Sequence, residues 1–347
     1  MSIHPVKTKS RRCLLALICT TVVGISLGAA SPQALAEAKE VTLAQQYGIG
    51  YLPLMVIKQD KLIQKNAAKL GLRDLKVQWL TFTGGADMNS AILSGDLNFA
   101  SGGVGPLVKI WSATKGSLNV RGVSAINSMP LFLNTTNPKV KTIADFTNKD
   151  RIGLPAVKVS IQAVTLQMAA AKVWGFKHYD RLDHLTVSMK HPDAMAAMLS
   201  PGVGIDAHFG SPPFQYQELE HPGVHTVLNS YDVLGGAATF NAVWTTGKFR
   251  KNNPKIYQAV LESLKQAMNI INSNKMAAAK LYVHAAHSKL PVDFIYKMLI
   301  NPEIDFTVVP LNTMKYADFM YKTGEIKHQP RSWKDLFFSN IDNLSGS

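Results

Sequence analysis

Apolar and polar positions alternate along the chain with two different periods. Short runs of β-branched and apolar residues predict strands, and between them apolar residues recur every three to four positions, as on one face of a helix. The first strand is predicted at 41–46. A loop at 47–51 follows, and then a helix at 53–70 that Pro53 opens and Gly71 ends. This alternation is typical of an α/β protein, in which helices pack on open sheets.

The same two periods continue through the middle of the chain. Further strands are predicted at 75–82, 97–100, 152–154, 185–188, 205–209 and 224–228. Further helices are predicted up to Leu93, from near Pro106, and at 160–174, 193–199 and 212–220. Gly and Ser loops follow two of the strands, at 83–85 and at 101–103.

A weak internal repeat links two of these strand–loop–helix units. Residues 91–106 read AILSGDLNFASGGVGP, and residues 197–212 read AMLSPGVGIDAHFGSP. Each copy runs from a helix end through a turn and a short strand to a Gly/Ser loop and a proline. Two copies predict two similar lobes; two unrelated βα turns are the alternative, because Gly, Ser and Pro gather at such turns in any case.

Both repeat loops lie after a strand and before a helix. Ligands of open α/β sheets bind at this edge, and the free N–H groups of a helix start suit a carboxylate or a sulfonate. The two loops therefore predict a small-molecule site between the lobes.

The first forty residues have the pattern of an export signal. Lys7, Lys9, Arg11 and Arg12 precede an apolar run at 13–27, and Ala34-Leu35-Ala36 forms a cleavage site. We expect a signal peptide at 1–36 and a periplasmic mature protein that begins at Glu37. An uncleaved membrane anchor is the alternative, and the paired arginines leave both the general and the twin-arginine export routes open.

Composition narrows the possible functions of the mature part. Both cysteines, Cys13 and Cys19, lie in the signal, so disulfides and thiolate chemistry are not expected. The net charge of +14 falls to +10 without the four basic residues of the signal. The remaining lysines are scattered, as on a solvated surface, so we expect no nucleic-acid partner.

Few side chains suggest catalysis or metal binding. Residues 24–28 match a hydrolase nucleophile pattern but lie within the signal, and His284 and His287 read as a surface pair rather than a metal site. We find no constellation for acid–base work, and therefore expect no catalytic residue, no metal and no cofactor.

The order of motifs resembles a known family, the substrate-binding proteins of ABC importers of the nitrate/sulfonate/taurine class. The motifs that carry the resemblance are GYLP at 50–53, KLGL at 69–72, GG at 84–85, AILSGD at 91–96, SGGVGP at 101–106, IADF at 143–146, IGLP at 152–155 and the C-terminal ADFM at 317–320 with SWKD at 332–335. The resemblance covers essentially the whole mature chain. This family shares its fold with thiamine-pyrimidine synthesis proteins, which are cytoplasmic enzymes with a cysteine-rich motif that the mature chain lacks.

The resemblance implies a two-lobed α/β periplasmic binding protein, with two open sheets flanked by helices and joined by two crossover strands. We place the crossovers near 125–133 and 236–246. Lobe one would comprise 37–126 and the returning part 241–347, and lobe two 127–240. It further implies a monomer that closes by hinge motion around a ligand and docks on an ABC permease in the inner membrane.

Loop positions nominate the residues that would hold the ligand. They are Tyr51, Thr83, Gly84, Gly85, Ser101, Gly102, Gly103, Asn127, Lys158, Ser160, His208, Gly210 and Ser211. Tyr51 offers a ring and a hydroxyl, the glycines offer backbone N–H groups, and Lys158 and His208 offer charge.

The class of ligand stays open between several possibilities. An alkyl or aryl sulfonate, or a related anion, is expected first, and a pyrimidine-like heterocycle second, because arginine is scarce in the candidate loops. A binding protein is favoured over a thiamine-pyrimidine-synthesis-like enzyme, because the mature chain lacks cysteine and follows an export signal. It is also favoured over a structural or adhesive exported protein, because two Gly/Ser loops are expected to face each other.

Overall fold

The computed structural model describes residues 36–200, 202 and 204–347. Apart from Ala36, the predicted signal peptide lies outside these residues. The strands of the described part are β1 (Glu40–Gln45), β2 (Lys76–Thr81), β3 (Ala100–Gly103), β4 (Arg121–Ala125), β5 (Phe132–Thr135), β6 (Ile152–Leu154), β7 (Thr186–Ser188), β8 (Ala207–Phe209), β9 (His225–Asn229) and β10 (Asn241–Thr245).

Helices connect and flank these strands. They are α1 (Leu52–Gln59), α2 (Leu62–Lys69), α3 (Gly85–Ser94), α4 (Val104–Ala113), α5 (Ile161–Trp174), α6 (His191–Leu199), α7 (Phe214–Leu219), α8 (Ser230–Leu234), α9 (Gly247–Asn252), α10 (Pro254–Ser273), α11 (Lys275–Ala285), α12 (Val292–Leu299), α13 (Thr313–Lys322) and α14 (Trp333–Leu336). Short 3-10 turns lie at Ile49–Tyr51, Ile143–Asp145, Phe176–His178, Asp183–Leu185 and Ser339–Ile341. The α/β fold class predicted from the sequence is confirmed.

The strands form two arrays with the same strand order. In the first array β1 pairs with β2, and β10 lies between β3 and β4. A parallel bridge between Leu43 and Phe99 joins β1 to the start of β3. The first array therefore has the order β2-β1-β3-β10-β4, and the second array has the equivalent order β7-β6-β8-β5-β9.

In each array, the fourth strand is the one that the chain forms just after it crosses over from the other array. β10 runs antiparallel to β3 and β4, and β5 runs antiparallel to β8 and β9. The two connecting segments, 126–131 and 230–240, lie side by side: Ser128 bridges Thr239, and its hydroxyl donates to the carbonyl of Ala238 over 2.8 Å. The lobe boundaries at 126/127 and 240/241 stay a prediction. They are compatible with the strands, because β5 to β9 all belong to the second array and the other strands to the first.

The structure corrects two predicted elements in the first array. The helix expected at 53–70 is two helices, because Lys61 adopts a left-handed conformation (φ 51°) between α1 and α2. Residues 101–103, expected as a loop, form the end of β3, and α4 begins at Val104 rather than near Pro106. The reason is β10, a partner 140 residues further along the chain that pairs with Ser101, Gly102 and Gly103.

One apolar core extends over most of the described chain. Its largest fully buried side chains include Trp244, Tyr316, Phe99 and Phe337. Burial of aromatic and branched side chains is the main force that holds such layers together. In the part of the chain that the structure describes, no helix has the length and apolar character that a bilayer crossing requires.

Candidate functional site

Three helices begin at one cleft between the two arrays. Gly85 of α3, Gly103 at the start of α4 and Ser160 at the start of α5 line a cavity of about 10 Å³ there. Each helix start carries a partial positive charge from its backbone dipoles. The cleft therefore combines three helix N-termini from both sides of the molecule, an arrangement that attracts negative charge.

The two walls of this cleft contact each other through glycines. A Cβ atom at Gly103 would lie 2.7 Å from Cγ2 of Ile161, and one at Gly105 would lie 2.7 Å from the carbonyl oxygen of Val159. Across the same cleft, the N–H of Ile49 donates to the carbonyl of Pro212 over 3.0 Å. Since the cavity has room for about one water molecule, a larger ligand requires these contacts to separate.

On the first wall, Tyr51 is tied to β10 and, through Gly50, to the connecting segment 126–131. The Asn241 amide donates to the Tyr51 hydroxyl (3.1 Å), and the Asn127 amide donates to the carbonyl of Gly50 (2.6 Å) and to Oδ1 of Asn241 (3.2 Å). Burial raises the pKa of Tyr51 far above its ordinary value, so the phenol stays neutral. Asn127 is fully buried and fixes the backbone around Tyr51.

Ser101 and Gly102 lie behind the cavity surface. The Ser101 hydroxyl donates to the carbonyl of Ala44 (2.5 Å), and its own carbonyl accepts from the amide of Gln46 (3.3 Å). A Cβ at Gly102 would meet Gln46 Nε2 at 2.8 Å and the ring of Trp244 at 3.1 Å. These two residues position Gln46, which itself lines the cavity.

On the second wall, Ser160 caps α5. Its hydroxyl accepts the N–H of Ala163 over 3.2 Å, as helix N-cap serines do. Lys158, two residues earlier, is exposed and adopts a left-handed conformation (φ 64°). Pro155, Ile161 and Gln162 line the cavity on either side of the cap.

A hydrogen-bonded chain of buried side chains runs inward from this wall. Gln162 Nε2 lies 3.3 Å from His191 Nε2, and His191 Nδ1 lies 2.8 Å from His208 Nε2. His208 Nδ1 contacts the Glu218 carboxylate, whose other oxygen accepts from the Asn134 amide over 2.9 Å. His208 and Glu218 are 0% exposed. We call His191, His208 and Glu218 the relay.

Burial controls the charge of the relay member that faces the cavity. Burial and, secondly, the charge of His208 hold the pKa of His191 well below its usual range. The ring of Phe214 stacks on His191 at 5.9 Å between centroids. His191 is therefore a neutral imidazole whose ring plane is fixed by its neighbours.

The predicted site residues fall into three groups. Tyr51, Gly85, Gly103 and Ser160 line the cavity. A second group is buried directly behind the cleft walls: Gly84, Ser101, Gly102, Asn127, His208, Gly210 and Ser211. Thr83 and Lys158 are exposed. The prediction that these thirteen residues hold a ligand stays a prediction.

Sequence reasoning missed three polar residues that line the cavity, namely Gln46, Gln162 and His191. Each lies directly after a strand or within the first two residues of a helix, the same position that nominated the glycines. A position at a strand end or a helix start could therefore have nominated these three residues from the sequence. Gly and Ser content alone does not mark them.

A wider groove opens beside the cavity and shares Gln46 and Tyr47 with it. Its volume is about 570 Å³, within the range of small-ligand sites. The lysines Lys58 and Lys289 and the ring of Phe214 line this outer groove. By contrast, no described residue that lines the inner cavity is an arginine, a lysine, an aspartate or a glutamate.

His284 and His287, the possible metal pair of the sequence, are both exposed. His284 belongs to α11, and His287 follows it in a left-handed conformation (φ 48°). Among residues 36–200, 202 and 204–347, no three His, Cys, Asp or Glu side chains form a group that could hold a metal ion.

Solved structures of several binding proteins are similar to this chain in fold. The alkanesulfonate-binding protein SsuA from Xanthomonas axonopodis pv. citri, bound to MOPS, matches with a TM-score of 0.66 and 19% identity, over 84% of this chain and 96% of that one. The periplasmic aliphatic sulphonate-binding protein SsuA from Escherichia coli matches with a TM-score of 0.62 and 18% identity, over 87% and 93%. The periplasmic nitrate-binding protein NrtA from Synechocystis PCC 6803 matches with a TM-score of 0.66 and 12% identity, over 89% and 86%.

By sequence, neither a protein-family model nor a curated protein matches the chain. The structural matches nevertheless cover most of both chains, and a fourth match is described as having the generic periplasmic binding protein fold. The resemblance expected from the motifs, to binding proteins of the nitrate and sulfonate class, is thus confirmed for the fold. This chain has the fold of the periplasmic binding proteins of ABC importers.

Proposed function

We propose that this chain is an exported solute-binding protein, which captures a small molecule between its two arrays and delivers it to an ABC permease. One observation carries the proposal: three helix N-termini and a buried polar relay, contributed by two arrays of equal strand order, meet at one cleft. The structural relatives, which are described as sulfonate-binding and nitrate-binding proteins, support the same class of function.

The proposed mechanism is opening and closing of the cleft around the connecting segments 126–131 and 230–240. Separation breaks the Ile49–Pro212 hydrogen bond and the glycine contacts between the walls. A ligand that contacts both walls then stabilises the closed form, because it binds that form better than the open one. The closed monomer would dock on the permease.

We propose a sulfonate or a related small anion as the first ligand class. The helix starts of α3, α4 and α5 favour negative charge, and Lys58 and Lys289 of the outer groove would attract an anion towards the cleft. A pyrimidine-like heterocycle is the second candidate. The aromatic rings of Tyr47, Tyr51 and Phe240 favour it, because they line a cavity whose described lining residues include no lysine or arginine.

Thermal unfolding of residues 37–347 in the presence of ethanesulfonate, taurine, nitrate or uracil tests the proposal. A ligand at one hundred times its dissociation constant adds about 2.7 kcal/mol to the free energy of unfolding. We expect one ligand class to raise the melting temperature by a few degrees. Gln162→Met should abolish that shift, whereas Gln78→Met on the exposed part of β2 should keep it.

Two results would contradict these assignments. If no compound raises the melting temperature, both proposed ligand classes are wrong. If the shift survives Gln162→Met, the ligand binds elsewhere than this cleft. The proposed periplasmic location is tested separately by N-terminal sequencing of the exported protein, which should begin at Glu37.

A further inference from the structure

The relay connects the cavity to a carboxylate that no ligand can touch. His191 lines the cavity, whereas His208 and Glu218 lie behind it and are 0% exposed. A buried carboxylate without partners destabilises a protein strongly, so its hydrogen bonds determine how it is held. Those hydrogen bonds have a defined direction.

The donors and acceptors of these hydrogen bonds can be assigned by starting from Asn134, the buried partner of Glu218. The carbonyl of Gln215 can only accept, so the Asn134 group that lies 2.9 Å from it is the NH₂ group. Thr226 donates to the other end of this amide over 2.8 Å. The same NH₂ group donates to Glu218, which makes Glu218 an acceptor at that oxygen. With Glu218 ionised, as the inference below requires, its second oxygen also accepts, and His208 Nδ1 carries the proton between them.

One proton lies between His208 Nε2 and His191 Nδ1, which are 2.8 Å apart, and two arrangements are possible. If the proton belongs to His191 Nδ1, both rings are neutral, and His191 Nε2 offers a lone pair on the cavity side, where Gln162 donates to it. If His208 holds protons on both nitrogens, it donates to His191 Nδ1. A neutral His191 then carries its proton on Nε2 and becomes a donor.

We propose that Glu218 and His208 are positioning residues that decide which hydrogen-bonding role His191 offers to the ligand. With two neutral rings, His191 accepts a hydrogen bond from an uncharged ligand that bears an N–H or O–H group. An anion is bound together with one proton, which resides on His208, so that His191 donates to it. This inference rests on the proposed function, because it concerns the ligand of the same cleft.

Charge balance is the reason for the coupling. An anion in the cavity adds a second negative charge near the buried Glu218 carboxylate, and the described lining residues provide no lysine or arginine to offset it. A proton on His208 neutralises Glu218 and leaves the ligand as the only net charge. The Glu218 carboxylate contacts His208 and not His191, so a positive charge on the relay is held at His208.

Few other charged groups face His191. On α6 itself, Asp193 pairs with the neighbouring Lys190 over 3.3 Å, and both side chains are partly exposed. Lys190 Nζ also lies 5.9 Å from the centre of the Tyr47 ring across the cleft. The described titratable and charged groups on the elements packed around His191 are His208 on β8, Tyr216, Glu218 and Glu220 on or next to α7, and Tyr47 and Tyr51 on the opposite wall.

The first test needs no ligand. Nitrogen-15 NMR of histidine-labelled protein reports whether each imidazole nitrogen carries a proton. As the pH falls, we expect His191 Nε2 to change from unprotonated to protonated in a single step, together with His208 Nε2. Glu218→Gln should move this step to lower pH or remove it, while Glu220→Gln, at the exposed end of the same helix, should leave it unchanged.

The second test uses calorimetry of wild-type protein with ethanesulfonate, which stays ionised throughout, and with uracil, which is uncharged. Titrations in two buffers of different ionisation heat give the number of protons taken up. At a pH above the NMR step, we expect one proton per ethanesulfonate bound, with affinity falling about tenfold per pH unit, and none per uracil. This measurement needs no variant, so a misfolded Glu218→Gln protein would not prevent it.

The outcomes separate this inference from the proposed function. Ethanesulfonate binding without proton uptake at a pH above the NMR step, or a His191 Nε2 that never changes its protonation, overturns the inference and leaves the solute-binding function standing. A single NMR step that Glu218→Gln alters supports the relay even if neither probe binds; the proposed ligand classes would then be wrong.

Discussion

The two cleft walls are built on equivalent strands and yet use different chemistry. β3 and β8 are each third in their array, and each runs antiparallel to a strand that enters from a connecting segment. By strand register, Ala100 and His208 occupy equivalent positions, because Ala100 pairs with Trp244 of β10 and His208 pairs with Asn134 of β5. The first wall has a small side chain there, and the nearby Gly102 leaves room for Gln46 and Trp244, whereas the second wall has an imidazole bonded to Glu218.

This difference shows what each wall contributes. The first wall brings backbone close to the opposite side, because glycines at 103 and 105 allow contact with Ile161 and Val159. The second wall brings a buried proton-binding chain to the same cleft. A shared backbone scaffold therefore leaves side chains free to diverge, and function has to be argued from those side chains.

The largest expected effect comes from removing the carboxylate of the second wall. Glu218→Leu leaves the His208 N–H and the Asn134 amide without their buried acceptor. Loss of one partner of a buried pair costs about 3–5 kcal/mol. Urea denaturation should show this loss in the free energy of unfolding. Glu220→Leu, an exposed change next to it, should stay within about 0.5 kcal/mol of wild type. Equal stabilities of the two variants would show that the relay is not a stabilising unit.

A smaller effect is expected from crowding the first wall. The methyl group of Gly103→Ala would lie 2.7 Å from Cγ2 of Ile161, and overpacking of this kind costs about 1–3 kcal/mol. Ile161→Ala alone costs stability too, since it empties a buried position, but it also removes the clashing methyl. Denaturation of both single variants and the double variant should therefore give a double variant clearly more stable than additivity predicts. Strict additivity would mean that the walls do not meet at this point.

Much of the fold followed from the sequence because its signals are local. Periodicity and turn residues gave the strands near 41–46, 152–154 and 224–228 to within one or two residues. The repeat at 91–106 and 197–212 predicted two similar lobes, which stays a prediction; the structure shows two arrays of equal strand order. The break at Lys61 was missed, because its left-handed conformation has no glycine or proline to mark it.

The site was less accessible to sequence reasoning because its partners are far apart in the chain. The pairing of Ser101 with Val243 turned a predicted loop into a strand, and no local pattern announces such pairing. His208 was nominated as a ligand contact, but its nearest partners, Glu218 and His191, belong to two different helices. Only the folded structure shows that His191 lies between His208 and the cavity.

The pH dependence of stability should also differ between the walls, with the smallest of the three effects. The pKa of His191 lies well below its ordinary value in the folded protein, while the unfolded chain binds that proton near pH 6.5. Above pH 6.5 neither state binds it. Below that pH the unfolded state takes up a proton that the folded state does not, so acid destabilises the protein by up to about 1.4 kcal/mol per pH unit for this one group.

The measurement is the free energy of unfolding between pH 7.5 and 5.5 for wild type and for His191→Gln. Because the two proteins have all other titratable groups in common, the difference between their slopes reports on His191. We expect the variant to be less stable at pH 7.5 but to have the shallower slope, because the proton difference at His191 is gone. Gln78→Met, an exposed substitution that neither removes nor adds a titratable group, should keep the wild-type slope. The first wall carries Ala100 where the second carries His208, so substitutions there should shift the whole curve without tilting it. If His191→Gln shifts the curve in parallel, as a change in the first wall should, the two walls do not differ in proton binding through His191.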